Sequence, residues 1–447
     1  MRTLLSFPLF ALLFLANFIS DVGAIEIDVN STDSLVHAAW VFAHGMMSYY
    51  NGNQTGGEQG KFVEPYYWWE SGAAWGGLID YWYLTGDDTY NQQVVSSLLS
   101  QVGPDNNYMP ADETTSEGND DQSFWGFAVM NAAERNFTNP DSSQPQWLAL
   151  AEAVFNVMAS RWDTSTCNGG LRWQIFQFNN GYDYKNTISN AGLFMMAARL
   201  YRYTGNETYL YWAETTYNWT EGVGFVDENY YFYDGAHVET NCTNLTLYQW
   251  TYNPGIFMAG SAYLYNYTGS ALWGQRVQSI LDGITIFFDS TTGIMYEQAC
   301  EIAGTCDVDE KAFKGILANC MGLTAQLAPF TWGAIYQHLA QTVPGIAQSC
   351  VGGRDGVTCG TTWLDVGWDN TWGLGQELSA MEVVLNLLVQ NFSAPYTSTT
   401  GGSSTGLITP VETNSTTVIT TGDRAGAGII TSVALLMMLG SSWWIAL

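Results

Sequence analysis

The chain has 447 residues, of which 42 are Asp or Glu and 13 are Lys or Arg, giving a formal charge of −29. So acidic a chain excludes a nucleic-acid partner, because phosphate contacts need a positive footprint. Only 12% of residues are charged while 15% are aromatic, including 19 Trp and 26 Tyr, which suits a large core and a cleft that stacks flat sugar faces.

The chain opens with one basic residue, Arg2, then an apolar run from Leu4 to Ile19, then Val22 and Ala24 at positions suited to cleavage. This pattern predicts a secretory signal peptide over residues 1–24. The mature domain is expected over 25–395, long enough for one large domain or two ordinary ones.

Within that body a helical unit recurs. "AAWGGLIDYWY" (73–83) predicts a helix rich in small residues, closed by the turn "LTGDDTY" (84–90). "FWGFAVMNAAE" (124–134) opens the same way. "GGLRWQIFQF" (169–178) reads as at most a short hairpin arm. "NAGLFMMAARLYRY" (190–203) places Leu193, Met196, Ala197, Leu200 and Tyr201 on one helical face, and ends in "YTGNETY" (203–209). "NPGIFMAGSAYLYNY" (253–267) ends in "YTGSALW" (267–273). "FKGILANCMGLTAQL" (313–327) and "TWGLGQELSAMEVVLNLL" (371–388) complete the series. In each TG turn a helix stops at Gly and a polar residue caps the next. The marking glycines, Gly77, Gly126, Gly192, Gly255, Gly315 and Gly373, are 49, 66, 63, 60 and 58 residues apart. Each interval holds two helices and their loops. Six helical hairpins without an interrupting linker predict an all-α (α/α)6 barrel, with the small residues on the inner helices.

Residues 396–428 are rich in Ser, Thr and Gly and read as a linker. Residues 429–447 form an apolar tail with no basic residue after it. Small residue, polar spacer and apolar tail make the pattern of a GPI attachment signal whose tail is removed. Asn414 or Gly422 is the expected attachment residue. Ten glycosylation sequons, at Asn30, Asn53, Asn136, Asn206, Asn218, Asn241, Asn244, Asn266, Asn391 and Asn414, fit a secreted, surface-anchored chain.

Seven cysteines in such a chain should mostly be paired. Cys300–Cys306 and Cys350–Cys359 are the expected local pairs and Cys167–Cys242 the long one. This leaves Cys320, within an apolar helix, as the free thiol. No CxxC or HExxH occurs, and His37, His44, His237 and His338 are scattered, so neither a metal nor another cofactor is expected.

The loops before the inner helices carry the remaining polar and aromatic surplus. If the barrel closes, they converge at one mouth. They bring Trp68, Trp69, Glu70 and Trp75; Asp120 and Asp121; Asp183, Lys185, Asn186 and Asn190; and Asp234 and Tyr252. Asn119, Gln122 and Trp125 flank the aspartates. Aromatic planes with amides and carboxylates are a sugar-binding inventory, and all these uncharged and acidic groups are candidate contacts. Asp120–Asp121 reads in two ways. It can cap a helix, as Asp87–Asp88 does in its TG turn. It can also be a catalytic pair, since a helix N-terminus favours an anion and a neighbouring carboxyl then resists ionising.

The runs "GNDDQSFWGFAVMNAAE", "YYWWESGAAWGGLIDYWYLTGDDTY", "CNGGLRWQI", "NTISNAGLFMMAARLYRYTGNETYL" and "WGLGQELSAMEVV" resemble glycoside hydrolase family 76. They resemble most its fungal GPI-anchored members, described as mannan endo-1,6-alpha-mannosidases of the cell wall. The resemblance covers about residues 30–390 in order. It implies an (α/α)6 barrel and a retaining alpha-mannosidase mechanism, with Asp120 as nucleophile and Asp121 as general acid/base. It also implies mannan or the mannose-containing GPI glycan as donor, water or a beta-glucan hydroxyl as acceptor, and a GPI link to the plasma membrane or wall. The alternative reading is a wall-anchored glycan-binding protein without turnover, which would keep the aromatic cleft and need neither aspartate.

Overall fold

A computed structural model describes residues 25–113 and 115–407. The signal peptide, the tail, Asn414 and Gly422 lie outside these residues. The described chain is an (α/α)6 barrel of twelve helices. The inner ring is α2 (Trp68–Thr85), α4 (Asn119–Glu134), α6 (Thr187–Thr204), α8 (Tyr252–Thr268), α10 (Phe313–Leu327) and α12 (Leu374–Asn386). Each packs on the next, and α12 returns to α2 to close the ring. The outer helices α3 (Asn91–Ser100), α5 (Trp147–Ser160), α7 (Glu207–Gly222), α9 (Ala271–Gly283) and α11 (Trp332–Ser349) each pack on the inner helix before them. The sixth outer helix is α1 (Thr32–Met47), which packs on α12. The last hairpin is therefore assembled from the two ends of the chain.

Small residues let the inner helices approach their inner and outer neighbours. A Cβ on Gly315 would stand 2.8 Å from the Ser379 backbone of α12, and one on Gly126 would stand 2.9 Å from Val154 of α5. The inner helices are buried almost all round. For instance, α6 is buried from Thr187 to Tyr203, which is the pattern of a helix inside a larger assembly. The three TG turns are left-handed caps at one end of the barrel, with Gly86 at φ 78°, Gly205 at 73° and Gly269 at 66°. In each, the glycine N–H closes on the carbonyl four residues back at 2.8 Å, as expected of glycine at a helix C-terminus.

The end bearing the TG turns is closed. Arg199 of α6 joins Glu134 of α4 at 2.6 Å, and Tyr263 of α8 donates to the same carboxylate at 2.7 Å, so one buried ion pair staples three inner helices. Residues 396–407, expected as linker, run across this end. Tyr396 N–H donates to the Glu134 carbonyl at 2.8 Å, Asn136 Nδ2 to the Gly401 carbonyl at 2.8 Å, and Leu407 N–H to Glu152 Oε2 at 2.6 Å. Composition marked this stretch as linker, but its backbone groups find partners on the barrel.

The inner helices begin at the other end, where the long loops gather. Here a three-stranded antiparallel sheet forms from β1 (Tyr184–Asn186), β2 (Gly235–His237) and β3 (Leu245–Thr246). The expected hairpin arm at 169–178 is not a strand. It makes a single bridge, Gln174 with Gly118, because two left-handed residues, Gly169 at φ 140° and Gly170 at 91°, turn the chain there. Disulfides join Cys167–Cys242, Cys300–Cys306 and Cys350–Cys359, and Cys320 is a buried free thiol. Among the described residues no helix is long and apolar enough to cross a membrane.

Candidate active site

A cleft of about 540 Å³ opens at the mouth. Helix α4 enters it at its N-terminus, so Asp120 and Asp121 stand in its first turn. Asp121 Oδ2 accepts the N–H of Gly118, the residue before the helix, at 2.6 Å. That bond caps the helix and holds the side chain. Asp120 Oδ1 is buried without a protein partner. A Cβ placed on Gly118 would lie 2.4 Å from Asp120 Oδ1 and 3.2 Å from Asp121 Oδ2. Two oxygens at those distances from one point are at most 5.6 Å apart.

Burial, then repulsion by Asp121, raises the Asp120 carboxyl well above the usual range. Burial raises Asp121 to about 7, against the stabilising Gly118 N–H. The two cannot readily both ionise, so the pair holds one proton near neutral pH. In the unliganded site the charge rests more easily on Asp121. Asp87, the comparison within the chain, behaves differently. It accepts from Tyr81 Oη at 2.5 Å and Thr89 N–H at 3.0 Å, and these bonds lower its pKa against a burial effect that would raise it. The expected cap is not there: Asp87 makes a local turn with Thr89, and the next helix begins at Asn91 after Tyr90 with no side-chain cap, whereas the same dipeptide in the cleft is a proton-sharing pair.

Of the expected contacts, Trp68, Trp69, Asn186, Asp234 and Tyr252 line the cleft with the two aspartates. Asn186 comes from β1 and also caps α6 by accepting Ser189 N–H. Asp234 accepts from Tyr184 Oη at 2.6 Å and Trp250 Nε1 at 3.0 Å. Tyr252 stacks on Phe313 with ring centroids 3.9 Å apart.

The other expected contacts are structural. Glu70 accepts Tyr67 N–H at the start of α2. Trp75 is fully buried and donates to the Gly60 carbonyl. Trp125 is buried between Trp68 and Tyr108. Asn119 and Gln122 face away from the cleft, each accepting from Arg161. Asn190 pins the backbone of Leu171. Asp183 pairs with His237 outside the cleft, and Lys185 is buried against the carbonyls of Asp163, Thr166 and Gly169. In every case loop proximity was right and side-chain direction was not: successive helical residues point 100° apart, and successive strand residues point to opposite faces, as Lys185 and Asn186 of β1 do.

The cleft also holds residues the sequence reading passed over: Tyr67, Glu113, Ser116, Glu117, Trp173, Gln174, Tyr184, Asp307, Asp309, Glu310 and Phe313. Asp307 and the short 3-10 turn that begins with Asp309 and Glu310 lie directly before α10. The rule applied to the first four loops, extended to the acidic run "DVDE", would have found them. Eight carboxyl groups and no Lys or Arg line the cleft among the described residues. Among the same residues the one grouping with metal-ligand spacing is Cys300, Cys306 and Glu310, and its two sulfurs are bound to each other.

Of the ten sequon asparagines, eight are exposed and Asn136 is partly buried. Asn414 is outside the described residues.

A family model described as glycosyl hydrolase family 76 matches residues 34–399. The chain is 48% identical over 444 residues to mannan endo-1,6-alpha-mannosidase DCW1 of Saccharomyces cerevisiae, covering 98% of each chain. It is 45% identical over 438 residues to mannan endo-1,6-alpha-mannosidase DFG5 of the same yeast, covering 96% of this chain and 95% of that one. Among solved structures it superposes on Dfg5 from Chaetomium thermophilum in complex with glucosamine. The TM-score is 0.82 and the identity 41%, covering 85% of this chain and 96% of the other.

Proposed function

Since the chain belongs to glycosyl hydrolase family 76, we propose that it is an endo-acting alpha-1,6-mannosidase that works with retention through Asp120 and Asp121. The observation that carries this is the bounded separation of the pair, at most 5.6 Å. Retaining glycosidases set their carboxyls about 5–5.5 Å apart, and inverting ones about 6.5–9.5 Å to admit a water.

The order of roles, Asp120 as nucleophile and Asp121 as general acid/base, follows the resemblance to the family's paired aspartates; Asp121 is in addition held in place by the Gly118 N–H at 2.6 Å. The shared proton must then sit on Asp121 when sugar is bound. Asp120 attacks the anomeric carbon, Asp121 protonates the departing oxygen, and a glycosyl ester forms on Asp120. Asp121, now a base, takes the proton of the incoming hydroxyl and the ester breaks.

A second reading of the acceptor and donor is favoured by the cleft's charge. With Glu117 neutral and one proton on the aspartate pair, up to six of the eight cleft carboxyls carry charge and no basic residue lines the cleft among the described residues, which suits a donor that carries a cation, such as the unacetylated glucosamine of a GPI glycan, more than neutral mannan alone. With a beta-glucan hydroxyl in place of water, the same site is a transglycosylase. The three disulfides fit an extracytoplasmic compartment, in keeping with a secreted, GPI-anchored protein at the membrane or wall.

The test is product analysis by mass spectrometry. Purified protein and its Asp120→Asn variant are given an alpha-1,6-mannan oligosaccharide and a synthetic GPI-type glycan, with and without beta-glucan. Shorter mannosides without acceptor establish hydrolysis, and acceptor-linked products establish transfer. An Asp120→Asn variant as active as the parent overturns the mechanism. Binding without any product returns the protein to the non-catalytic reading.

A further inference from the structure

We propose that Glu117 is a substrate-contacting residue whose two carboxyl oxygens hydrogen-bond sugar hydroxyls beside the Asp120–Asp121 pair; this rests on the mannan reading above. Glu117 lines the cleft yet is only 2% exposed. Neither of its oxygens has a hydrogen-bond partner, and among the described buried carboxyls it alone has both unpartnered. The others are tied: Glu134 to Arg199 and Tyr263, Glu297 to Thr251, and Glu377 to Cys359 N–H.

Burying a polar group unpaired is costly, and folds retain such groups where a ligand completes them. Local partners were within the protein's means. Arg161 is near enough to act on Glu117 electrostatically, but its guanidinium is committed to Asn119 Oδ1 at 3.0 Å and Gln122 Oε1 at 2.7 Å. Lys61 is committed to Asp112 and to Glu113.

The charges around Glu117 define the form in which it acts. Burial, then Asp121, with smaller contributions from Glu113 and Asp112 and against Arg161, raises its carboxyl to about 9. At neutral pH it is a neutral acid, able to donate one hydrogen bond and accept another. That suits a hydroxyl, which also does both, and leaves Asp121 without a second negative neighbour in the Glu117 position.

Glutamine reproduces a neutral donor and acceptor on the same stem, and alanine removes both. Alpha-1,6-mannotetraose is titrated into the protein in an Asp120→Asn background, to prevent turnover, with binding read from the fluorescence of the cleft tryptophans. KM and kcat are measured on the same Glu117 variants with Asp120 intact. Glu117→Ala is expected to weaken binding and raise KM by about tenfold or more, with a melting temperature no lower than the parent's. Glu117→Gln should stay within about threefold of the parent. As pH rises through about 9 the parent should lose affinity that Glu117→Gln keeps. The inference is overturned if Glu117→Ala binds as tightly as the parent. It is also overturned if Glu117→Gln is as weak as Glu117→Ala, which would mean that a charge is required. A lowered melting temperature with unchanged affinity would make Glu117 structural and refute it too. Failure of the parent to bind or cleave any mannan oligosaccharide would sink the mannan reading itself, and this inference with it.

Discussion

Replacing Gly118 with alanine is expected to cut turnover about 100-fold while leaving the fold nearly as stable. Gly118 has φ −90° and ψ 166°, a conformation alanine adopts freely, so the substitution adds a methyl group and no backbone strain. That methyl would stand 2.4 Å from Asp120 Oδ1, and 3.2 Å from both Asp121 Oδ2 and the Trp173 carbonyl. Non-bonded heavy atoms settle at roughly 3.5 Å, so the Asp120 oxygen must retreat by about 1 Å. Misplacing a reacting group by about 1 Å costs on the order of 100-fold, or about 2.7 kcal/mol of barrier. Alanine is a poorer residue than glycine at this capping position by about 1 kcal/mol or less, so thermal unfolding should shift by a few degrees at most. Gly222→Ala, with nothing within 4 Å of the added carbon, is the matched control. Initial rates on alpha-1,6-mannotetraose give kcat and KM, and circular dichroism gives the melting temperature. A kcat within threefold of the parent would refute the reasoning, since Asp120 would then be free to rotate or would not be the reacting group.

The protein should be more stable in mild acid than in mild base. Burial raises Glu70, Glu297, Glu377 and Glu382 to about 8 and Asp121 to about 7. Their folded-state pKa values lie above the unfolded ones, so their contribution is full below about pH 4 and is lost as pH rises through 7–8. The melting temperature should fall steadily between pH 5 and pH 8, and a flat or rising curve would contradict the burial assigned to these groups. Arg199→Ala strands Glu134 inside the barrel without its 2.6 Å partner and should cost about 3–5 kcal/mol in urea unfolding, with KM unchanged in the molecules that remain folded. Trp75→Ala and Trp173→Ala should separate cleanly. The first empties a fully buried site and should lose about 3–5 kcal/mol of stability. The second removes a cleft residue 39% exposed and should raise KM on mannotetraose with little change in melting temperature.

The sequence determined the class of fold and the neighbourhood of the site. Helix periodicity, the three TG turns and the spaced glycines are local signals, because left-handed glycine caps and close helix approach each demand a particular residue at a particular position. The cysteine pairs were legible for a similar reason, as the short separations of 6 and 9 residues leave few other partners. The aspartate pair could be found, but its meaning could not be fixed, since "DD" is written identically in the turn at Asp87 and in the cleft at Asp120.

Tertiary structure decided what depends on burial and direction. It set the pKa of each pair through how much water each retains. It turned Trp75, Trp125, Asn119, Gln122 and Asn190 away from the cleft, because a helix aims neighbours at different faces, and it brought in Glu117 and the acidic segment before α10. It also supplied what no local pattern encodes: α1, from the start of the chain, serves as the outer helix of α12 at its end. Ring closure is a contact between residues more than 300 positions apart. It is held by the burial of apolar faces that carry no record in the sequence of which partner will cover them.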